Sequence, residues 1–272
     1  MTLLEIKDAI GIKFYYVDGD IDNPNGLLYH TNCLEILPKI PEKSIDLVLT
    51  DPPYNISKLN ANRDRSKLNS FIMRRKSPLK YDFGNWDNME RDEFLKFTDI
   101  WLKECCRVLK EGGTIISFFN KEDISYLSWQ AKNYDIRTRT IISWHKTNPV
   151  PSFRKVNYLS ACEFIWVGSK GSETWTFNFG LQKDMHNFFE TANSSSYKET
   201  EHPTEKSINL IQWLLNIHSN KNDLILDPFL GSGTTALACK QLNRKFIGVE
   251  IDEKYCKISK ERLQGTSENL PF

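Results

Sequence analysis

At 272 residues, with 40% hydrophobic and 26% charged residues and a formal net charge of +1, the chain has an ordinary globular composition and material for a substantial core. This excludes a disordered or fibrous protein; no apolar run approaches the length of a bilayer span, and the first ten residues lack a secretory signal pattern. Cys33, Cys105, Cys106, Cys162, Cys239 and Cys256 are scattered, with no Cys-x-x-Cys pair, which argues against a zinc site or disulfide framework and for reduced thiols in a cytoplasmic protein.

In chain order, residues 1–26 read as an irregular leader or loop, because 18–26 are rich in Asp, Asn and Gly. A strand at 27–30 leads through Asn32 to a helix-like 34–37. Residues 44–50 form an apolar run suited to a buried parallel strand. Residues 56–92 lack sustained periodicity. Apolar groups recur at helical spacing over 93–110, and Gly112-Gly113 is expected to stop that helix. Within it, Cys105-Cys106 is expected to bury one thiol of the two. A strand at 114–119, a helix near 122–133, and strands near 136–144 and 161–167 follow. Residues 170–201 read as a loop or small insertion. A helix at 208–217, a strand at 224–226, a helix at 234–242, a strand at 246–249 and a helix at 254–263 close the chain. Alternating strands and helices predict an α/β fold with a mostly parallel, doubly wound sheet. One catalytic domain is expected over 1–272, with a loop at 56–92 and an insertion at about 170–201.

Two segments stand where a parallel strand ends and a loop begins, the edge at which open α/β sheets bind ligands. Asp227-Pro228-Phe229-Leu230-Gly231-Ser232-Gly233-Thr234-Thr235 has the strand, Gly-x-Gly, helix order that seats a nucleotide at a helix N-terminus. A second strand ends at Glu250, which is placed to accept hydrogen bonds from ribose hydroxyls. A structural glycine turn beside a surface Glu is the alternative. The missing third glycine of the dinucleotide fingerprint favours a mononucleoside such as S-adenosylmethionine over a pyrophosphate. Asp51-Pro52-Pro53-Tyr54 follows the strand at 44–50. Its prolines stiffen the turn. An exocyclic amino group on a base is a poor nucleophile until its lone pair is localised. The Asp51 carboxylate and the Pro52 carbonyl can accept its two hydrogens, and Tyr54 offers a face for stacking. Asp-Pro-Pro also occurs as an ordinary turn.

Together, DPPYN at 51–55, KTNPVPSFR at 146–154, HPTEK at 202–206, DPFLGSGTT at 227–235 and GVEIDEKY at 248–255 resemble the β-class amino DNA methyltransferases, closest to the adenine-modifying members of bacterial restriction-modification systems. The catalytic segment precedes the cofactor segment, the permuted order of that class. The resemblance implies an S-adenosylmethionine-dependent methyltransferase fold and direct methyl transfer to adenine N6. It implies a catalytic pocket of Asp51, Pro52, Pro53 and Tyr54. The cofactor would be held by Asn32, His202, Lys206, Asp227, Phe229, Gly231, Ser232, Gly233, Thr234 and Glu250, with Lys206 near the cofactor's carboxylate. Two positions depart from the family pattern: Thr31-Asn32 replaces Gly-Asp, and HPTEKS replaces HPTQKP. Cytosine N4 methylation uses the same geometry, though its members more often carry Ser at the position of Asp51. A catalytically silent DNA-binding subunit is the reading of a different class.

Residues 56–80 carry eight cations against one acid, Asp64, a net of +7 beside the catalytic turn. Lys58, Arg63, Arg65, Arg74, Arg75 and Lys76 are therefore candidates for phosphate contacts to double-stranded DNA. A solvated surface loop is the plainer alternative. The resemblance makes 56–92 a basic DNA-facing loop and about 170–201 a short target-recognition insertion, and the family's habits add a homodimer and a cognate restriction endonuclease as possible partners. No metal-ligand pattern is present among the five histidines.

Overall fold

A computed structural model of the chain describes residues 1–55, 89–149, 156–171, 174–192 and 205–265. Contacts divide it into two compact units, Met1–Pro52 with Ile100–Phe272, and Pro53–Asp99.

The first unit holds the sheet. Nine strands are found among the described residues: β1 (Tyr16–Asp20), β2 (Asn23–His30), β3 (Ile45–Thr50), β4 (Leu109–Phe119), β5 (Ile136–Lys146), β6 (Cys162–Lys170), β7 (Phe188–Thr191), β8 (Leu224–Asp227) and β9 (Lys245–Glu250). Their order is β1-β2-β9-β8-β3-β4-β6-β5-β7. From β2 to β4 every neighbour is parallel. Strands β3, β8 and β9 are apolar and buried almost throughout, as expected for strands covered on both faces. β6 runs antiparallel to both β4 and β5, and β1 antiparallel to β2, so the sheet is mixed at its flanks.

Among the described residues the α-helices are α1 (Leu3–Ile10), α2 (Cys33–Ile36), α3 (Arg91–Val108), α4 (Ile124–Ala131), α5 (Ile208–His218), α6 (Thr234–Gln241) and α7 (Glu253–Gly265). α6 packs against α5 and α7. No helix among the described residues is long and apolar enough to cross a membrane.

Four expectations need correction. Residues 1–26 are not a leader. Thr2 and Glu5 form a reciprocal capping box that starts α1, and α1 buries Leu3, Ile6 and Ile10. β1 and β2 then pair as a ribbon, so the Asp, Asn and Gly residues of 18–26 form its turn. The second correction concerns Gly112-Gly113, which lies inside β4 rather than ending α3. The β3–β4 register slips between Ile45 and Leu47, and Gly112 takes φ 73° there. A Cβ on Gly112 would approach the Thr174 carbonyl oxygen to 2.8 Å, so the glycine serves a bulge. Third, α3 buries both Cys105 and Cys106, because its buried arc spans Trp101, Leu102, Cys105, Cys106 and Val108. Finally, residues 170–201 supply β7, which extends the sheet beside β5.

In the second unit, Asn55 takes φ 54°. Its side chain donates to the Met89 carbonyl and accepts from the Met89 N–H, both at 2.9 Å.

Gly26 pairs with Phe246 across β2 and β9, and a Cβ on Gly26 would fall 2.0 Å from the Phe246 ring. Because Phe246 is buried, Gly26→Ala should cost about 1–3 kcal/mol by overpacking. Urea denaturation measures this, and an unchanged midpoint would show that the ring yields freely.

Candidate active site

Because β2, β9, β8 and β3 are parallel neighbours, their carboxyl ends lie along one edge of the sheet. β2 delivers His30 and Thr31 there, β9 Glu250, β8 Asp227, and β3 Thr50 and Asp51. Each end is fixed by its own set of hydrogen bonds.

Asp227 is buried, and its Oδ1 accepts from the Thr50 hydroxyl at 2.9 Å and from the Phe229 N–H at 3.1 Å. Burial pushes its carboxyl up to about 7; hydrogen bonds from Thr235, Phe229 and Thr50 pull the other way, and the charge of Asp51 adds to the rise. Asp227 thus ties the end of β8 to the end of β3.

The turn after β8 needs its glycines. Gly231 and Gly233 take φ 56° and 84°, and Gly233 is the N-terminal cap position of α6. A Cβ on Gly233 would stand 2.8 Å from the Ser259 side chain. The Ser259 hydroxyl donates to the Gly231 carbonyl at 2.9 Å. Arg262, on α7, donates from Nη1 to the Ser232 carbonyl at 2.9 Å, the Ser232 hydroxyl at 3.3 Å and the Thr234 hydroxyl at 3.1 Å. Its Nη2 pairs with Glu205 at 2.8 Å. Sequence reasoning missed Arg262 and Ser259, which lie beyond the last motif on α7 and carry no local signal. The side chains of Ser232 and Thr234 are buried, and their hydroxyls accept from Arg262. Phe229 meets Trp101 edge-on, with ring centroids 5.8 Å apart.

Glu250 accepts the Gly231 N–H on Oε2 at 2.7 Å and the Asp252 N–H on Oε1 at 2.8 Å. Burial raises its carboxyl above the ordinary range, and backbone N–H groups of Asp252, Gly231 and Ile251 offset part of that rise. A carboxylate oxygen can accept more than one hydrogen bond, so Glu250 can still accept from a hydroxyl beside these N–H groups. This acceptor chemistry fits the ribose of a nucleoside cofactor. Asn32 sits beside this corner. Its Oδ1 accepts the Leu34 N–H at 3.0 Å and caps α2, while the Thr31 N–H bonds the Glu250 carbonyl at 3.0 Å.

Lys206 precedes α5 and is almost fully buried. Its ammonium stands 2.8 Å from Asp51 Oδ2 and 3.2 Å from Glu163 Oε2. Burial alone would lower its pKa, but the carboxylates of Asp51 and Glu163 outweigh this and hold the ammonium firmly charged. Pro52 is buried, and Pro53 and Tyr54 belong to the second unit. His202 and the candidate DNA contacts Lys58, Arg63, Arg65, Arg74, Arg75 and Lys76 lie outside the described residues. The structure thus brings Asp51, Lys206, Asp227, the glycine turn, Glu250 and Asn32 to one sheet edge.

Comparison with known proteins agrees with this geometry. A family profile described as DNA methylase, of the N6/N4 type, matches residues 45–261. The chain belongs to the DNA methylase family. It is 30% identical over 253 residues to the type II methyltransferase M.HpaI of Haemophilus parainfluenzae, covering 86% of this chain and 72% of that protein. It is 29% identical over 261 residues to M2.MboI of Moraxella bovis, covering 92% of this chain and 91% of that one. Among solved structures, the complex of M1.HpyAVI with S-adenosylmethionine superposes with a TM-score of 0.67 at 27% identity, over 88% of this chain and 98% of that one. The cytosine-N4-specific PvuII DNA methyltransferase shares the fold with a TM-score of 0.70 at 21% identity, over 96% of this chain and 98% of that one. This DNA methylase is of restriction-modification type and methylates DNA with S-adenosylmethionine as methyl donor.

Asp227 also makes a prediction for stability. Its folded-state carboxyl lies near 7, above the unfolded value near 4, so the native protein holds that proton more tightly. The resulting stabilisation is complete below about pH 4 and is lost as the pH rises through about 7. In Asp227→Asn this component should vanish, so that wild type loses stability relative to the variant across that window. Urea midpoints measured along the pH series test this, and parallel curves would contradict it.

Proposed function

We propose that the DNA methylase modifies the N6 amino group of adenine at a short site in double-stranded DNA, with Asp51, Pro52, Pro53 and Tyr54 as the catalytic segment. The observation that carries this reading is the Asp51 carboxylate at the carboxyl end of β3, held by the Lys206 ammonium at 2.8 Å, one strand from the glycine turn after β8. When bound, S-adenosylmethionine supplies a methyl group activated on sulfonium sulfur. The chain's residues do the rest by binding and orientation. Glu250 accepts the ribose hydroxyls, and Phe229, Gly231 and Gly233 shape the wall around the nucleoside. The target base leaves the stack, because its amino nitrogen cannot be approached in line within a duplex. Tyr54 stacks on the extruded base. Asp51 and the Pro52 carbonyl accept the two amino hydrogens in hydrogen bonds and localise the nitrogen lone pair for attack on the methyl carbon. The nitrogen–carbon bond would form as the carbon–sulfur bond breaks, leaving the neutral thioether, and the surplus amino proton would be lost to solvent. The cations from Lys58 to Lys76 hold phosphates around the displaced base.

Adenine is favoured over cytosine by the residue at 51. An Asp stands there, where cytosine-modifying members of the class more often carry Ser. Intact Asp51 and an intact glycine turn argue against a silent DNA-binding subunit.

Transfer of a tritiated methyl group to duplex DNA, followed by nucleoside analysis, should give N6-methyladenine. N4-methylcytosine would overturn the base assignment, and no label in DNA would overturn the activity. Asp51→Ala should lower the transfer rate by about 10²–10³-fold, the usual scale for losing one well-placed polar partner of the reacting group.

A further inference from the structure

The polar groups that hold Asp51 extend beyond it. On the sheet, β3, β4, β6 and β5 are consecutive neighbours. Asp51 follows β3. Glu163 is the second residue of β6 and pairs in register with Trp144 of β5. Lys146 ends β5, and its backbone N–H bonds the Ala161 carbonyl at 2.7 Å. Lys206 bridges Asp51 Oδ2 at 2.8 Å and Glu163 Oε2 at 3.2 Å, with Phe118 of β4 beneath it at 5.0 Å from ammonium to ring centroid. Glu163 Oε1 in turn takes the ammonium of Lys146, which itself lies 5.0 Å over the Trp144 ring. The result is a row of alternating charge across four strands: Asp51, Lys206, Glu163, Lys146.

We propose that Lys206 is the positioning residue of the Asp51 carboxylate, and that Glu163 and Lys146 hold Lys206 in that role rather than at the methionine end of the cofactor. The inference rests on the reading of Asp51 as the group that accepts the amino hydrogens. A cation placed between two carboxylates, both within contact distance, gains from each and is held at neither alone. The row of four has no net charge, so it can be buried without a counterion from solvent. The aromatic faces of Phe118 and Trp144 add attraction for the two ammonium groups and exclude water from one side. Lys206 carries its proton throughout, so the row is a fixed electrostatic brace and passes no proton along. It fixes the direction of Asp51 Oδ2.

Two readouts separate this role from cofactor binding: the equilibrium dissociation constant for S-adenosylmethionine, and the single-turnover rate of methyl transfer to duplex DNA at saturating cofactor. The variants are Lys206→Met, Lys206→Arg and Glu163→Gln, each compared with wild type. Lys206→Met should lower the single-turnover rate by about 10²-fold while the dissociation constant stays within about threefold. Glu163→Gln, which leaves Lys206 in place but unbraced, should lower the rate by about tenfold, again with unchanged cofactor binding. Lys206→Arg, which keeps the charge, should recover a large part of the rate lost in the Met variant. The opposite pattern would overturn the proposal: a dissociation constant raised tenfold or more in Lys206→Met, with the rate at saturation unchanged. Should Lys206→Met fail to fold, Glu163→Gln and Lys206→Arg decide the question by the same two readouts. Wild type that binds the cofactor but methylates no base would overturn the reading of Asp51, and this inference with it.

Discussion

Three carboxylates stand at the ends of three adjacent parallel strands, and like charges so placed must each be neutralised differently. Asp51, after β3, meets the buried Lys206 ammonium at 2.8 Å. Asp227, at the end of β8, is buried and pushed up to about 7, and it is supported by the hydroxyl of Thr50 and the N–H of Phe229. Glu250, at the end of β9, accepts the backbone N–H groups of Gly231 and Asp252. An ion pair, burial beside hydroxyl and N–H donors, and a peptide nest are three solutions to one electrostatic problem. They also assign three chemistries. On the proposed reading, the ion-paired carboxylate is the one that receives the incoming amino group. The hydroxyl-bonded one knits two strand ends together. The one held by backbone N–H groups retains acceptor sites for hydroxyls.

This edge explains why the glycine turn is shaped as it is. Gly231 and Gly233 adopt left-handed backbone so that the Gly231 N–H can reach Glu250 while α6 starts at once. Arg262 and Ser259, both on α7, then clamp the turn from behind. The glycine turn is therefore held by the last helix as much as by the strand that precedes it. A change in α7 can disturb the glycine turn without touching any motif residue.

Much of this was legible in the sequence because it is local. The apolar runs of β3, β8 and β9, the Asp-Pro-Pro-Tyr turn and the Gly-x-Gly turn announce themselves within a few residues, and the permuted order of the motifs pointed to the family. What was illegible is either non-local or locally ambiguous. The contacts of Lys206 with Asp51 and Glu163 join three distant parts of the chain, and no spacing rule predicts them. The capping box of α1 was present in Thr2 and Glu5 but was masked by the Asp, Asn and Gly residues that follow it. Gly112-Gly113 resembles a helix stop, and only the pairing of β4 with β3 shows a bulge. Glu205, which departs from the family's Gln, proves to be the partner of Arg262, so the departure has a structural use.

The central claim is a division of labour along one sheet edge: Glu250 serves the cofactor and Asp51 serves the target base. Equilibrium binding of S-adenosylmethionine to wild type, Glu250→Gln and Asp51→Asn tests it most directly. The account predicts that Glu250→Gln weakens binding by about tenfold or more, the loss expected for charge-assisted hydrogen bonds, while Asp51→Asn binds as wild type does. Wild-type affinity in Glu250→Gln, or equal loss in both variants, would contradict it.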